Sequence, residues 1–194
     1  MQYYLDLTYQ TPPEWAENAI KDLPAFLRDH ADCERKASSM AMSFVAKAHD
    51  KKEIIPELID TAIEELEHFQ SVYKIMEERG VELTHHIEKD TYIEDLIKLS
   101  RTKPEDRLID RLLLASIIET RGAERFRLIA EAIDDKELKI FYKELWASEA
   151  NHGNIFVKMA LNYRPKDEVY KRLRELNDAE GIICEKLPWR HAVH

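Results

Sequence analysis

The chain has 194 residues, 44 % of them hydrophobic, which is enough for one substantial core. With only 4 Gly and 35 % charged residues, an all-helical protein is favoured. The net charge of −9 argues against broad nucleic-acid binding, and no run of about 18 apolar residues exists to cross a membrane. Met1 to Gln10 lacks the basic-then-apolar pattern of a secretory signal, and Cys33 and Cys184 form neither a framework nor a CxxC pair, so a reduced, cytoplasmic setting is expected.

Residues 1–11 read as irregular. Pro12-Pro13-Glu14-Trp15 starts a short helix to about Lys21, and Asp22 and Pro24 mark a new start. The first long helix is expected from about Pro24 to Ala48, where Leu27, Ala31, Glu34, Ser38, Ala41 and Val45 share one face. Asp50-Lys51-Lys52 reads as a turn. A second helix follows from about Glu53 to Arg79, closed by Gly80, with a buried stripe of Ile55, Leu58, Ile59, Ala62, Glu65, Phe69, Val72 and Met76 and with His68 at its border. Residues 81–105 form a crossover holding a short helix, Tyr92 to Leu99. His85 and His86, in the same crossover, read as surface residues.

The third helix runs from about Pro104 to Ala132, with Leu112, Ser116, Glu119, Ala123 and Phe126 on one face. Asp134-Asp135 caps the fourth, about Asp135 to Tyr163, where Leu138, Phe141, Leu145, Glu149, His152, Phe156 and Met159 share a face. Pro165 ends it. A last helix, about Asp167 to Cys184, precedes an irregular tail in which Trp189 is expected to pack on the bundle. The expected organisation is a single domain over residues 1–194, with the core bundle at about 24–163 and a C-terminal appendage at about 167–194.

Two of these helices carry a Glu and a His three residues apart: Glu65-Leu66-Glu67-His68 and Glu149-Ala150-Asn151-His152. Three residues turn a helix by roughly 300° and advance it about 4.5 Å, so both side chains of each pair can reach one metal ion. A further Glu stands about 30 residues before each pair, Glu34 before Glu65 and Glu119 before Glu149, a gap that suits two helices folded back on each other. Two such pairs make a four-helix bundle with a long crossover between helices 2 and 3, and four Glu and two His facing inward. That is the ligand set of ferritin-like di-iron or di-manganese carboxylate proteins. His30, one turn from Glu34, is expected beside the ligands or at the surface rather than among them. Glu124 lies roughly 140° from Glu119 around the helix and is read as an ion-pair partner of Arg121 and Arg125. The small residues Ala31, Ser38, Ala41 and Ala123 are expected to leave room beside the metals.

The strings around these residues resemble a known family. They are Asp29-His30-Ala31-Asp32-Cys33-Glu34-Arg35-Lys36-Ala37, Glu64-Glu65-Leu66-Glu67-His68-Phe69, Glu78-Arg79-Gly80, Ile118 to Phe126, and Ser148-Glu149-Ala150-Asn151-His152. They are similar to those of the bacterial tRNA 2-methylthio-N6-isopentenyladenosine hydroxylases. The resemblance implies a non-haem di-iron monooxygenase that hydroxylates the isopentenyl group of the modified adenosine beside the tRNA anticodon. It implies two iron ions, O₂ as co-substrate, an external electron donor and a reductase partner, with metal ligands at Glu34, Glu65, His68, Glu119, Glu149 and His152. A ferritin-like oxidase or storage protein without a tRNA substrate, and a non-catalytic helical interaction module, are the alternatives.

Overall fold

The computed structural model describes residues 5–84 and 90–194; His85 and His86 lie outside them. Among the described residues there are seven α-helices, one 3-10 turn and no strand. They are α1 (Glu14–Ala19), α2 (Leu23–Lys47), α3 (Ile55–Glu78), α4 (Thr91–Lys98), α5 (Pro104–Ala132), α6 (Lys136–Leu161) and α7 (Lys166–Lys186). The helices begin where the sequence supplies caps. Asp22 accepts from the Ala25 amide at 3.0 Å, Asp90 from that of Ile93 at 3.1 Å, and Asp135 from those of Glu137 and Leu138. At the end of α3, Gly80 adopts φ +64°, its amide bonds to the Glu77 carbonyl and that of Val81 to Met76. A residue with a Cβ rarely adopts that φ, so glycine terminates this helix in a Schellman motif.

The chain divides into two compact units. One takes in Asn18–Lys89 and Trp189–His194, the other Met1–Glu17 and Asp90–Pro188. In the first, α2 and α3 form a hairpin, joined partway along by the Ser38 hydroxyl donating to the Ala62 carbonyl at 2.8 Å. Leu27, Ala31 and Ala41 of α2 and Leu58, Ala62, Val72 and Met76 of α3 are buried. Ile59 departs from the expected stripe: it is 39 % exposed, because the buried face of α3 is centred on Leu58, Glu65 and Val72, about 100° round the helix from it. The C-terminal tail is irregular, as expected. His191 Nδ1 bonds to the Asn18 carbonyl at 2.8 Å and the Val193 amide donates to Asp29 at 2.7 Å. Ala192 and Val193 are buried, whereas Trp189, expected to pack, remains 47 % exposed.

In the second unit α5 packs against α6 and α7, and its buried residues lie all round its circumference. α5 and α6 approach closely at Gly153. A Cβ there would lie 2.6 Å from Thr120 Oγ1 and 3.3 Å from the Ser116 carbonyl oxygen, and the Ser116 hydroxyl donates to the Gly153 carbonyl at 2.6 Å. α7 is fastened by buried ion pairs. Arg121 donates from Nε and Nη2 to the two oxygens of Glu180, both side chains fully buried, and Tyr92 and Cys184 donate to the same carboxylate. Burial and the Glu180 charge push the Cys184 thiol up to about 12, so it remains a protonated donor. Asp110, buried on α5, accepts from Arg101 and from Arg172 of α7.

Candidate metal centre

Each unit gathers two carboxylates and an imidazole. On α2, Glu34 is 4 % exposed, and on α3, Glu65 is 1 % exposed, with His68 at the edge of the same face. One donor atom each from Glu34, Glu65 and His68 falls within a 4.8 Å span. His68 Nδ1 lies 3.7 Å from Glu34 Oε2 and 3.5 Å from Glu65 Oε2. These separations exceed a good hydrogen bond. Donors placed about 2.1 Å from a shared cation lie roughly 3–3.5 Å apart, so the shorter separation falls at the edge of that range and the longer slightly beyond it. In the other unit Glu119, Glu149 and His152 are all buried and again bring donor atoms within 4.8 Å of one another, with His152 Nδ1 3.1 Å from Glu149 Oε2. Burying carboxylates at this depth is costly without positive charge nearby. Two oxygen ligands and one nitrogen ligand per unit are a donor set suited to a divalent or trivalent first-row metal, so the residues fit the implied ions.

His30 is part of this site. It is fully buried on α2, and its Nε2 lies 2.6 Å from Glu34 Oε1, leaving Oε2 turned towards His68. Burial works against charge on Glu34, but hydrogen bonds and charge from His30 and His68 prevail and hold its carboxyl well below the usual range. The carboxylate is therefore ionised and oriented for coordination. The sequence signal for His30 was its one-turn spacing to Glu34; what it could not supply was burial.

Glu124 stands apart from Glu119, as its angle on the helix requires. It forms an ion pair with Arg121 and accepts from the Thr11 amide and hydroxyl at 2.9 and 2.7 Å. Arg125 stacks over Trp15, 4.9 Å from the ring centroid. A cavity of about 240 Å³ opens beside the ligand helices of this unit, bordered by Ser116, Thr120 and Ala123 of α5 and by Trp146, Ala150 and Gly153 of α6. On both helices these residues lie to one side of Glu119 and Glu149. Ala123 lines this cavity and is itself buried, as are Ala31 and Ala41.

Residues 3–194 match the family described as tRNA-(MS[2]IO[6]A)-hydroxylase (MiaE). The chain belongs to this family. A tRNA 2-(methylsulfanyl)-N(6)-isopentenyladenosine(37) hydroxylase of Pseudomonas putida is 35 % identical, the alignment covering 90 % of this chain and 84 % of the relative. A protein of the same name from Salmonella typhimurium is 28 % identical over 89 % of this chain and 81 % of its own length. Among solved structures, a Synechococcus protein described as having aldehyde deformylating oxygenase activity superimposes with a TM-score of 0.90 at 32 % identity, covering 95 % of this chain and 92 % of that one. The MiaE-family chain is thus all-helical and ferritin-like, as the ligand pattern led one to expect, and no helix among its described residues is long and apolar enough to span a membrane.

Proposed function

We propose that this protein hydroxylates the isopentenyl group of 2-methylthio-N6-isopentenyladenosine in tRNA, beside the anticodon, using O₂ and two external electrons. The family match over residues 3–194 carries the reading. In this proposal Glu34, Glu65, His68, Glu119, Glu149 and His152 are the ligands of two irons, and residues 1–194 form a single domain. The support is the matched pattern of the two halves and the buried carboxylates and imidazoles that each half gathers. The cytoplasm, where tRNA is found, is its proposed location.

Bound there, a pair of irons supplies the O₂ activation needed to turn R–H, O₂, two electrons and two protons into R–OH and water. The chain's own residues set the conditions. Four carboxylates would offset the metal charge, and His30 fixes ionised Glu34. Leu27 and Ala31 on α2, Leu112 on α5 and Phe156 on α6 are buried within two turns of the ligand-type residues of their own helices, apolar neighbours that would limit water there. Substrate docking must contend with the net charge of −9. The basic stretch from Arg164 to Arg174 offers less positive charge than it reads. Arg164 pairs with Asp106 and Glu168, and Arg172 with Asp110 and Glu175.

The test is nucleoside mass spectrometry of tRNA from cells with and without the gene, in cells shown to make the prenylated adenosine. The expected result is loss of the species one oxygen heavier, restored by the intact gene and not by Glu119→Ala. Unchanged tRNA refutes the reading. The solved relative with deformylating activity motivates a second substrate class, aldehydes. Release of formate from such an aldehyde by the iron-loaded protein, with tRNA unchanged, would establish that class instead.

A further inference from the structure

α3 has a second apolar stripe that the core does not use. Ile59, Ile63, Leu66 and Tyr73 are 39, 51, 54 and 36 % exposed. Their spacings of four, three and seven residues place them on one side of the helix, roughly opposite His68. An amphipathic helix in a hairpin needs one apolar face, and α3 has two. The four side chains expose on the order of 300 Å² together, a size often functional on a single chain. One edge of the stripe is acidic: Asp60, Glu64 and Glu67 are exposed there, and Lys74 is the one Lys or Arg within α3.

We propose that this face of α3 docks an electron-donating protein whose contact surface has an apolar centre and a basic rim. The inference rests on the hydroxylase reading, which needs two electrons from outside. The occupant follows from charge and area. Nucleic acid is repelled by the acidic edge, so tRNA and donor do not compete for it. A second copy of this chain is disfavoured twice over. Two antiparallel copies of α3 would bring the acidic edges together, and the stripe falls well short of the roughly 800 Å² per partner of a stable interface. A small, charge-steered contact is what a transient electron-transfer encounter requires. The position suits the task, since Leu66 lies between Glu65 and His68 in sequence, and a docked donor would be about one helix diameter, 10–12 Å, from those side chains. Each donor molecule would give up one or two electrons, two in all per hydroxylation, and leave oxidised.

Cytochrome c, a small redox protein with a lysine rim, is the probe. In the metal-free full chain, carbodiimide cross-linking to cytochrome c should join its lysines to Asp60, Glu64 or Glu67. The yield should fall about tenfold in Ile63→Lys and in Glu67→Lys, and fall similarly in high salt. Separately, the iron-loaded, anaerobically reduced chain should reduce cytochrome c about tenfold more slowly in both variants, with circular dichroism and iron content unchanged. Cross-links spread over other acidic surfaces, or yields unaffected by either substitution, overturn the proposal. So does sedimentation showing a dimer that Ile63→Lys converts to monomer. If the chain binds no iron, the cross-linking still decides the docking face while the hydroxylase reading fails by itself.

Discussion

At the scale of single residues, the site depends on side chains that do not touch the proposed metals as well as on those that do. His30 fixes one oxygen of Glu34 at 2.6 Å. Replacing it with Phe, close in shape but unable to hydrogen-bond, should weaken iron binding about 10–100-fold with the helices intact, read by titration against a competing chelator. Unchanged affinity would reduce His30 to packing. Asp110 is a different case, a buried carboxylate with a purely structural role. Burial disfavours its charge, but hydrogen bonds from Arg101 and Arg172 prevail and hold its pKa below the ordinary value. A carboxyl depressed in the folded state stabilises the protein above its unfolded pKa of about 3.9, and that contribution fades as pH falls through the lower folded value. Asp110→Asn should therefore cost about 1–2 kcal/mol at pH 7, since both arginines are partly exposed, measured by urea unfolding, and the difference from the parent should narrow below about pH 4. The gathering of Glu34, Glu65 and His68 in one unit, and of Glu119, Glu149 and His152 in the other, was readable because a Glu and a His three residues apart share a helix face. Arg121 and Glu180 were only half readable. The charge of Arg121 beside Glu124 predicted an ion pair, but its second partner lies 59 residues away and no local spacing signals it.

At the scale of elements, the helix limits were legible because caps and prolines are local signals. Asp22, Asp135, Pro104 and Gly80 each act within a few residues of themselves, whereas the Asp90 cap of α4 emerged only in the structure. Faces were less legible. Ile59 fits the spacing of a core residue, and its exposure is decided by the partner helix, not by α3 alone. The close approach of α5 and α6 was also hidden, since the sequence shows only a glycine inside a helix. Gly153→Ala would force a Cβ against Thr120 Oγ1 and crowd the Ser116 carbonyl, at a cost of about 1–3 kcal/mol by thermal unfolding. The double variant Gly153→Ala with Thr120→Ala removes the tighter of the two clashes and should recover a large part of that loss. Equal stability of the single and double variants would show that the helices yield elsewhere.

At the scale of the whole molecule, the two-fold recurrence of a Glu followed about 30 residues later by Glu-x-x-His made the architecture legible before any packing was known. The division into two compact units was not legible, because it depends on how the terminal segments return to helices far away in sequence. That division gives the metal proposal its sharpest consequence. If two irons are held jointly, a ligand lost from either unit must affect the whole. Binding to the native state alone stabilises it by about 2.7 kcal/mol at a metal concentration 100 times the dissociation constant. For a chain of this length that is roughly 5–10 °C in Tm. Anaerobic Fe(II) should therefore raise the Tm by that amount, and a chelator should reverse it. Glu65→Ala in one unit and Glu149→Ala in the other should each abolish the shift and take the iron content below one per chain. Had each unit bound its own metal, either variant would keep one iron and about half of the stabilisation, so the stoichiometry of the single variants distinguishes a shared centre from two separate ones.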